Sequence, residues 1–318
     1  MVSSELTGLR IAFFGTPAFA VPTLQRLLDS RHQVVAVVTQ PDRPRGRGQH
    51  VSDAPVKALA VSRAIAVLQP DRLKQELFAE AFSALNTDLG VVAAYGKILP
   101  QWLLDAPRLG MVNVHASLLP KYRGAAPVQR AVVNGEAETG VTIMRVVKAL
   151  DAGPMLARRV RPIGLHDTGD VVERDLSVIG AELLAECLDD LAAGRLVDVP
   201  QDEALATYAH RLTKEEGLID FRLPALDIHN RVRGLRPWPG AYTFLHGKRV
   251  AFHRAQPSSV PVLGGTPGSC VTDASTLTVV CGDGHAVDVL ELQPEGKRVM
   301  SARDFLAGHP ELSGQSFG

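Results

Sequence analysis

An asparagine and a histidine stand two residues apart inside an otherwise apolar segment, MVNVHAS, over residues 111–117. Because side chains alternate between the two faces of a strand, Asn113 and His115 should project from one face and Val114 from the other. An amide and an imidazole that point the same way can together donate hydrogen bonds to one oxygen as it gains negative charge. A carboxylate, Asp151, follows a later strand in the turn LDAGP. These residues are therefore the candidate catalytic groups.

The same residue types also have purely structural interpretations. Asn and His at a strand end often only satisfy neighbouring hydrogen-bonding groups, and Asp before Gly is a common turn former. The position favours chemistry, because loops at the carboxyl ends of parallel strands are where such sheets bind ligands. Spacing alone leaves both interpretations open.

Several other active sites are excluded by the motifs they require. Gly15-Thr16-Pro17 stands where a dinucleotide-binding fold carries GxGxxG, but Pro17 and Phe19 fill the space that a pyrophosphate needs. The sequence contains no P-loop, no GxSxG and no HExxH. The three cysteines are far apart and odd in number, so they predict neither a disulfide framework nor a metal site. We expect no bound metal.

Composition and charge limit the compartment and the kinds of partner that we expect for this chain. The chain has 318 residues with 34 basic and 34 acidic side chains, so it does not coat nucleic acid through net charge. No apolar run is long enough to cross a bilayer, and the N-terminus lacks the pattern of a secretory signal. We expect a reducing cytoplasm, no membrane partner and a monomer.

Residues 9–196 alternate between short apolar strands and amphipathic helices. The predicted strands are LRIAFFG (9–15), QVVAVVTQ (33–40), LGVVAAYG (89–96), MVNVHAS (111–117) and TGVTIMRVV (139–147). Helical spacing links Leu24, Leu27 and Leu28, then Leu73, Leu77, Ala81, Phe82 and Leu85, and a long helix over 169–193 stops at Gly194. This alternation predicts an α/β fold, a Rossmann-like, mostly parallel sheet with helices on both faces.

Helix signals nearly vanish after a polar connector. The segments FLHGKRVAF (244–252) and TLTVVCGDGHAVDVLEL (276–292) predict two hairpins. A small C-terminal β-barrel, similar to an OB fold, is the economical interpretation. The predicted domains are 1–195, a linker at 196–220 and a barrel at 221–318.

The segment NVHASLLPKYRG (113–124), together with the Asp151-Ala152-Gly153 turn, strongly resembles the folate-dependent formyltransferases. Blocks in the same order extend the resemblance over nearly the whole chain: IAFFGTPAFAVPTL (11–24), TQPDRPRGRG (39–48), AAYGKILP (93–100), LTKEEGLIDF (212–221), the elements IHN, VRGL and PWPGAYT (228–243) and LQPEGKRVMSARDFL (292–306). They narrow it to the members that formylate initiator methionyl-tRNA. The chain departs from the family pattern at few positions. Arg45 stands where the family has Ala or Ser, Ala152 stands where it has Thr, and QHVSDAPV (49–56) replaces a more basic stretch.

The resemblance implies that a formyl group passes from 10-formyltetrahydrofolate to the α-amino group of methionyl-tRNA. Asn113 and His115 would stabilise the oxyanion, while Asp151 would orient His115 and help to move the proton. The folate would bind Tyr95, Gly96, Ile98, Leu99, Ser117, Leu118, Leu119 and Pro120. The tRNA would bind Arg43, Arg45 and Arg47 in a Gly- and Pro-rich loop, and Arg231, Arg233 and Arg236 further on. The enzyme would work in a bacterial cytoplasm.

Two other functions stay open. A folate formyltransferase that acts on a small amine, such as a sugar nucleotide, would share Asn113, His115 and Asp151. A catalytically silent RNA-binding protein on the same scaffold is disfavoured, because buried polar side chains cost stability when they do no chemistry.

Overall fold

The computed structural model describes residues 8–42, 44–45, 50–51, 53–259, 264–273 and 275–318. Among these residues the chain forms two compact units. The first contains described residues of 1–125, 139–161 and 173–209, and the second those of 126–138, 162–172 and 210–318. Two short stretches from the middle of the chain thus pack with the C-terminal residues. The domain boundaries drawn from the sequence stay a prediction.

Strands and helices are numbered here in chain order. The strands are β1 (Arg10–Gly15), β2 (Gln33–Val38), β3 (Pro44–Arg45), β4 (His50–Val51), β5 (Val67–Leu68), β6 (Leu89–Ala93), β7 (Met111–His115), β8 (Arg123–Gly124), β9 (Glu138–Arg145), β10 (Met155–Pro162), β11 (Tyr208–Ala209), β12 (Ala241–Leu245), β13 (Lys248–Pro257), β14 (Cys270–Thr272), β15 (Leu277–Val280), β16 (Ala286–Pro294) and β17 (Met300–Ser301). The α-helices are α1 (Val21–Leu28), α2 (Pro55–Ser62), α3 (Glu76–Ser83), α4 (Gln101–Asp105), α5 (Pro127–Val133), α6 (Gly169–Ala192), α7 (Ala225–Gly234) and α8 (Ala302–Ala307).

The sheet of the first unit has seven strands in the order β10-β9-β7-β6-β1-β2-β5. The pairs from β7 through β6, β1 and β2 to β5 are parallel, so their carboxyl ends meet at one edge. β9 runs antiparallel to β7. The strand that precedes Asp151 is therefore not one of the parallel strands, and the expectation that this loop leaves from their carboxyl edge was wrong.

Helices cover both faces of this sheet. Phe14, Val92 and Asn113 are register neighbours and share a face, against which the aromatic residues of α3 and α4 pack. On the opposite face, a Cβ at Gly180 of α6 would come within 2.5 Å of Val114 Cγ1. The side-chain alternation predicted for residues 113–115 is confirmed, because Val114 packs under the helix.

The predicted long helix is confirmed, whereas the predicted inner face of α3 is right at Phe82 and wrong at Leu77 and Ala81. α6 spans Gly169–Ala192, and Gly194 follows it with a left-handed φ of +66°. In α3, Leu77 is 81% exposed, while Phe78 and Phe82 are buried. The two phenylalanines bring more apolar area to the core than Leu77 and Ala81 would, so their stripe faces inward.

The second unit contains an antiparallel sheet in the order β12-β13-β16-β15-β14, with β17 beside β16. Both predicted hairpins are present: β12 pairs with β13, and β15 pairs with β16. Phe221, Phe252, Phe305 and Phe317 lie in its core. The predicted fold class, a mostly parallel α/β sheet with a small barrel-like β domain, is confirmed.

Burial makes the three cysteines poor nucleophiles. All three are free and buried, and desolvation raises the pKa of Cys270 and that of Cys281 to about 12. Within the described residues, no three His, Cys, Asp or Glu side chains gather as a metal-binding set. None of the described helices has the length and apolar character needed to span a membrane.

Candidate active site

The imidazole of His115 is anchored at one nitrogen and open at the other. Its Nε2 lies 3.0 Å from the Tyr122 carbonyl oxygen, and the side chain is 6% exposed. Because a carbonyl oxygen only accepts hydrogen bonds, Nε2 must carry the hydrogen. Nδ1 can then donate only when the ring is an imidazolium. Tyr122 has a left-handed φ of +62°, which marks a tightly determined backbone at this contact.

Asp151 lies close to that second ring nitrogen. Its Oδ2 is 3.8 Å from His115 Nδ1, too long for a hydrogen bond but short for an attraction between charges. The Gly124 N–H donates to the same oxygen at 2.8 Å. Among the described residues, no group donates to Oδ1, so that oxygen is available to a ligand or a proton.

The loop that carries Asp151 runs back along the sheet to reach His115. It leaves β9 beside Met111, at the opposite end of β7 from His115, where the Val146 N–H donates to the Met111 carbonyl. Asp151 takes a left-handed φ of +48°. A Cβ at Gly153 would come within 1.9 Å of the Arg145 carbonyl oxygen, so the Asp-x-Gly pattern here requires glycine.

The side-chain amide of Asn113 is free. Asn113 is half-buried on the face opposite Val114, and no described residue hydrogen-bonds its amide. A half-buried amide without a partner costs stability unless a ligand or water uses it. Asn113 therefore offers a donor beside a histidine and a carboxylate.

The predicted folate residues of the segment 93–100 follow β6. Tyr95 is 1% exposed, and burial raises the pKa of its hydroxyl to about 12. That hydroxyl has no hydrogen-bond partner among the described residues. Gly96 has a φ of +78°, and a Cβ there would lie 2.8 Å from Gln40 Nε2, which donates to the Tyr95 carbonyl. Ile98 is 83% exposed, whereas Leu99 is buried in the aromatic core.

The Ser117–Pro120 loop is fixed by a threonine on the neighbouring strand. Thr142 Oγ1 donates to the Ser117 carbonyl at 2.7 Å and accepts from the Leu119 N–H at 3.1 Å. Ser117 Oγ donates to the Lys121 carbonyl. Leu119 is fully buried with Met144 and Met155, so it is a core residue, while Leu118 and Pro120 are half-buried. The loop is a rigid wall beside His115.

Comparison with known proteins decides the family. Residues 9–188 match the family model "Formyl transferase", and residues 211–310 match "Formyl transferase, C-terminal domain". The methionyl-tRNA formyltransferase of Citrifermentans bemidjiense is 50% identical over 98% of both chains. That of Methylococcus capsulatus is 48% identical over 98% of this chain and 100% of its own. This chain belongs to the methionyl-tRNA formyltransferase family. The resemblance drawn from the sequence is confirmed.

Solved structures show the same fold outside the methionyl-tRNA formyltransferase family. The N-formyltransferase of Helicobacter canadensis, in complex with folinic acid and dTDP-3-aminofucose, has a TM-score of 0.67 at 17% identity over 90% of this chain and 99% of its own. HypX of Aquifex aeolicus, in complex with tetrahydrofolic acid, has a TM-score of 0.62 at 19% identity over 96% of this chain and 48% of its own. At these identities the likeness concerns the fold alone.

The arginines predicted to bind tRNA divide into two groups. Arg43, Arg47 and the side chain of Arg45 lie outside the described residues. In the second unit, Arg231 donates to the Glu216 carbonyl and Arg236 to the His253 carbonyl, and both are half-buried.

Arg233 is 7% exposed and bonds Asn230 and the carbonyls of Gly164 and Asp167. Its guanidinium is satisfied inside the unit. These contacts favour a structural role for Arg233.

Sequence reasoning missed two residues of this methionyl-tRNA formyltransferase family member. The Gln201 amide donates to the carbonyls of Asp151 and Gly153 at 2.8 Å each. Arg123, 2% exposed, donates to Gln201 Oε1. Arg123 stands inside the matching segment 113–124, but Gln201 lies in a stretch interpreted as a linker. No local pattern identifies a residue in a connector that hydrogen-bonds back to the candidate Asp151 turn.

Proposed function

We propose that this chain transfers the formyl group of 10-formyltetrahydrofolate to the α-amino group of initiator methionyl-tRNA, giving N-formylmethionyl-tRNA for translation initiation. One observation carries the proposal: Asn113, His115 and Asp151 supply two donors and a carboxylate in a chain 50% identical to a methionyl-tRNA formyltransferase. Amide, imidazole and carboxylate are the groups that acyl transfer to an amine requires.

Folate is the co-substrate, and the proposed binding residues are Tyr95, Gly96, Ile98, Leu99 and Ser117–Pro120. The exposed Ile98 side chain offers apolar surface to a flat ligand, and Gln40 packs against Gly96 and donates to the Tyr95 carbonyl, which fixes the backbone of this segment. When bound, 10-formyltetrahydrofolate supplies a formyl carbon that gains a bond to the amine nitrogen and loses its bond to the folate nitrogen, with one proton passing between the two nitrogens.

Asn113 and His115 act as the donors to the formyl oxygen. The Asn113 amide is free of described partners, so no internal hydrogen bond must break before it binds the oxygen. His115 donates through Nδ1, because its Nε2–H is taken by the Tyr122 carbonyl. That assignment requires an imidazolium, whose charge the nearby Asp151 carboxylate stabilises.

Asp151 has two tasks at its two oxygens. Oδ2, held by the Gly124 N–H, faces His115 and keeps the ring oriented. Oδ1 receives the proton of the attacking amine, directly or through one water, and thereby leaves the amine nucleophilic. The chain needs no covalent intermediate of its own, because the amine is a competent nucleophile once it is deprotonated.

The tRNA contacts are proposed for Arg43, Arg45, Arg47, Arg231 and Arg236, whereas Arg233, although predicted from the sequence, is buried and bonded within the second unit and is left out of the proposal. Guanidinium groups bind phosphates in a bidentate way and stack on bases, and binding should weaken as salt rises. We also propose that the protein acts as a monomer in a bacterial cytoplasm. Free buried cysteines and bacterial relatives support that compartment.

The proposal is tested by formyl transfer from 10-formyltetrahydrofolate to charged initiator methionyl-tRNA. We expect product with the wild type and a rate lower by about 10²–10³ with His115→Ala, the usual effect of removing one oxyanion donor. His285→Ala is the matched control, because His285 is exposed in the turn between β15 and β16.

Two outcomes would change the conclusion. Wild-type protein that is folded, binds folate and formylates a sugar-nucleotide amine but not methionyl-tRNA would assign the small-amine function. Equal rates for the wild type and His115→Ala would retain the transferase and remove His115 from the reaction.

A further inference from the structure

We call residues 201–209 the strap. It hydrogen-bonds the backbone next to His115 through one residue, Thr207, and the backbone of the Asp151 turn through another, Gln201; these two connections are its two arms. The last two residues of the strap form β11, which pairs in parallel with β8. β8 directly follows Tyr122, whose carbonyl holds His115, and contains Gly124, whose N–H holds Asp151. All of these residues belong to the first unit.

One arm of the strap reaches His115 through Thr207. Thr207 Oγ1 accepts the Tyr122 N–H at 2.9 Å, and the Thr207 carbonyl accepts the Arg123 N–H at 2.8 Å. Thr207 therefore holds the N–H groups on both sides of Tyr122, and the second of them, that of Arg123, belongs to the same peptide as the carbonyl that accepts His115 Nε2–H. Because Tyr122 has a left-handed φ, that peptide keeps its orientation only while its neighbours hold it.

The other arm reaches Asp151 through Gln201. Its Nε2 bridges the Asp151 and Gly153 carbonyls at 2.8 Å each, which closes the turn on both sides of Ala152. Its Oε1 accepts two hydrogen bonds from Arg123, at 3.0 and 2.8 Å. The amide is therefore fixed at both ends, and its donors cannot rotate away from the turn.

Arg123 ties the two arms together. Its main chain bonds Thr207, and its side chain bonds Gln201 and Glu203. Arg123 is 2% exposed, so its charge needs these partners, and Glu203 supplies two hydrogen bonds at 2.9 and 2.7 Å. Because Arg123 bonds both Thr207 and Gln201, loss of either contact would disturb the position of Arg123 and thereby the other contact.

We propose that the strap positions His115 and Asp151 for formyl transfer, with Thr207 and Gln201 as positioning residues. The inference rests on the proposed function for its kinetic test. A small displacement of reacting groups lowers the rate of the chemical step far more than it weakens substrate binding. The strap therefore acts on kcat and leaves KM nearly unchanged.

Two substitutions remove one arm each with little change of shape. Thr207→Val loses the hydroxyl that accepts the Tyr122 N–H, and Thr207→Ser keeps it. Gln201→Glu keeps the acceptor for Arg123 and loses the donors to the Asp151 turn. We expect kcat to fall at least about 10-fold in Thr207→Val and Gln201→Glu, with KM within about 2-fold, and to recover in Thr207→Ser.

A second measurement does not depend on activity. In protein labelled with ¹⁵N at histidine, the His115 ring signals are assigned by their absence in His115→Ala. We expect the Nε2 proton to exchange with solvent faster in Thr207→Val than in the wild type or Thr207→Ser, because its acceptor is no longer fixed. Thr278→Val is the matched control: Thr278 Oγ1 bonds Asp288 in the second unit, so its loss should leave this proton unchanged.

The outcomes separate the strap from the proposed function. Wild-type transfer with unchanged kcat in both strap variants overturns the strap and retains the function. Lower thermal stability with unchanged kcat and unchanged proton exchange means that the segment is only structural, which also overturns it. If the wild type transfers no formyl group, the proposed function fails, and the exchange rate of the His115 proton alone decides the strap.

Discussion

Asn113 differs from most half-buried polar side chains because no described residue satisfies its amide. Replacement by alanine removes no internal hydrogen bond, so we expect the free energy of unfolding to change by less than about 1 kcal/mol. The single-turnover rate of formyl transfer should fall by about 10²–10³, because one of the two proposed oxyanion donors is lost. The measurement compares both quantities for Asn113→Ala and the wild type.

Asn113→Asp gives a sharper contrast at the same position. It keeps the shape but places a negative acceptor where the reaction needs a donor, so it should be slower than Asn113→Ala. An Asn113→Asp enzyme as fast as the wild type would contradict the donor role.

The two-residue period of a strand predicted that Asn113 and His115 share one face, because this pattern lies within three consecutive residues. The direction of the Asp151 loop could not be predicted in this way. Whether β9 runs parallel or antiparallel to β7 depends on contacts between segments distant in sequence, to which local spacing is blind. The contact of Gln201 with the Asp151 turn could not be predicted for the same reason, because a polar residue in a polar connector belongs to no periodic pattern.

At the scale of elements, β7, the strand that carries Asn113 and His115, packs against a glycine in α6. A Cβ on Gly180 would meet Val114 Cγ1 at 2.5 Å and Val141 Cγ1 at 3.3 Å. Alanine raises helix propensity by up to about 1 kcal/mol, but overpacking costs about 1–3 kcal/mol. We expect Gly180→Ala to lower the free energy of unfolding, as measured by urea denaturation.

A second substitution tests the cause. Val114→Ala removes the methyl groups that the new Cβ would contact, so the double variant should be more stable than the sum of the two single effects predicts. A coupling energy of at least about 0.5 kcal/mol is expected. If the stability changes of the two single variants simply add in the double variant, the contact between the new Cβ and Val114 is not the cause of the destabilisation.

The presence of the helices could be predicted from the sequence. Their buried faces could be predicted only where a helix has one dominant apolar stripe. α6 carries a single long stripe and lies where predicted. α3 carries two pairs at i and i+4, Leu77 with Ala81 and Phe78 with Phe82, and the sequence prediction combined the first pair with Phe82 alone. The second pair packs with Trp102 and Phe14 in an aromatic cluster that no single-helix pattern reveals.

At the scale of the whole molecule, each unit contains a buried histidine whose pKa is lowered by burial. His32 Nδ1 accepts the Leu9 N–H at 3.0 Å, and desolvation lowers the pKa of His32 despite the opposing effect of Asp189. Desolvation also lowers the pKa of His229, with Arg233 and His166 adding to it; its two ring nitrogens lie 2.9 and 2.8 Å from the Ala255 and Leu165 carbonyl oxygens, of which the neutral ring can donate to one.

These shifts predict that acid destabilises both units. The folded-state pKa of each histidine lies below the unfolded value of about 6.5, so protons bind the unfolded chain more tightly. The stabilisation is complete above about pH 6.5 and is lost as the pH falls from there towards the folded-state pKa. Urea unfolding at about pH 7.5 and about pH 5.5 should show the loss.

Substitutions that cannot titrate give the control. Asn at position 32 can still accept the Leu9 N–H, and Gln at position 229 can still donate to one carbonyl. The variant with His32→Asn and His229→Gln should lose less stability between the two pH values than the wild type. An equal loss in both proteins would assign the acid sensitivity to other groups.

The two compact units are interleaved along the chain, and this has a consequence for synthesis on the ribosome. Ala126 is buried with Leu212 and Leu235, and Val128 and Val132 are buried beside it in α5. The ribosome releases α5 long before it makes Leu235, so the nascent chain carries this apolar helix without its partners. Truncation near residue 209 would leave the same apolar surface of α5 exposed to solvent, so a chain shortened there should aggregate more readily than the full chain.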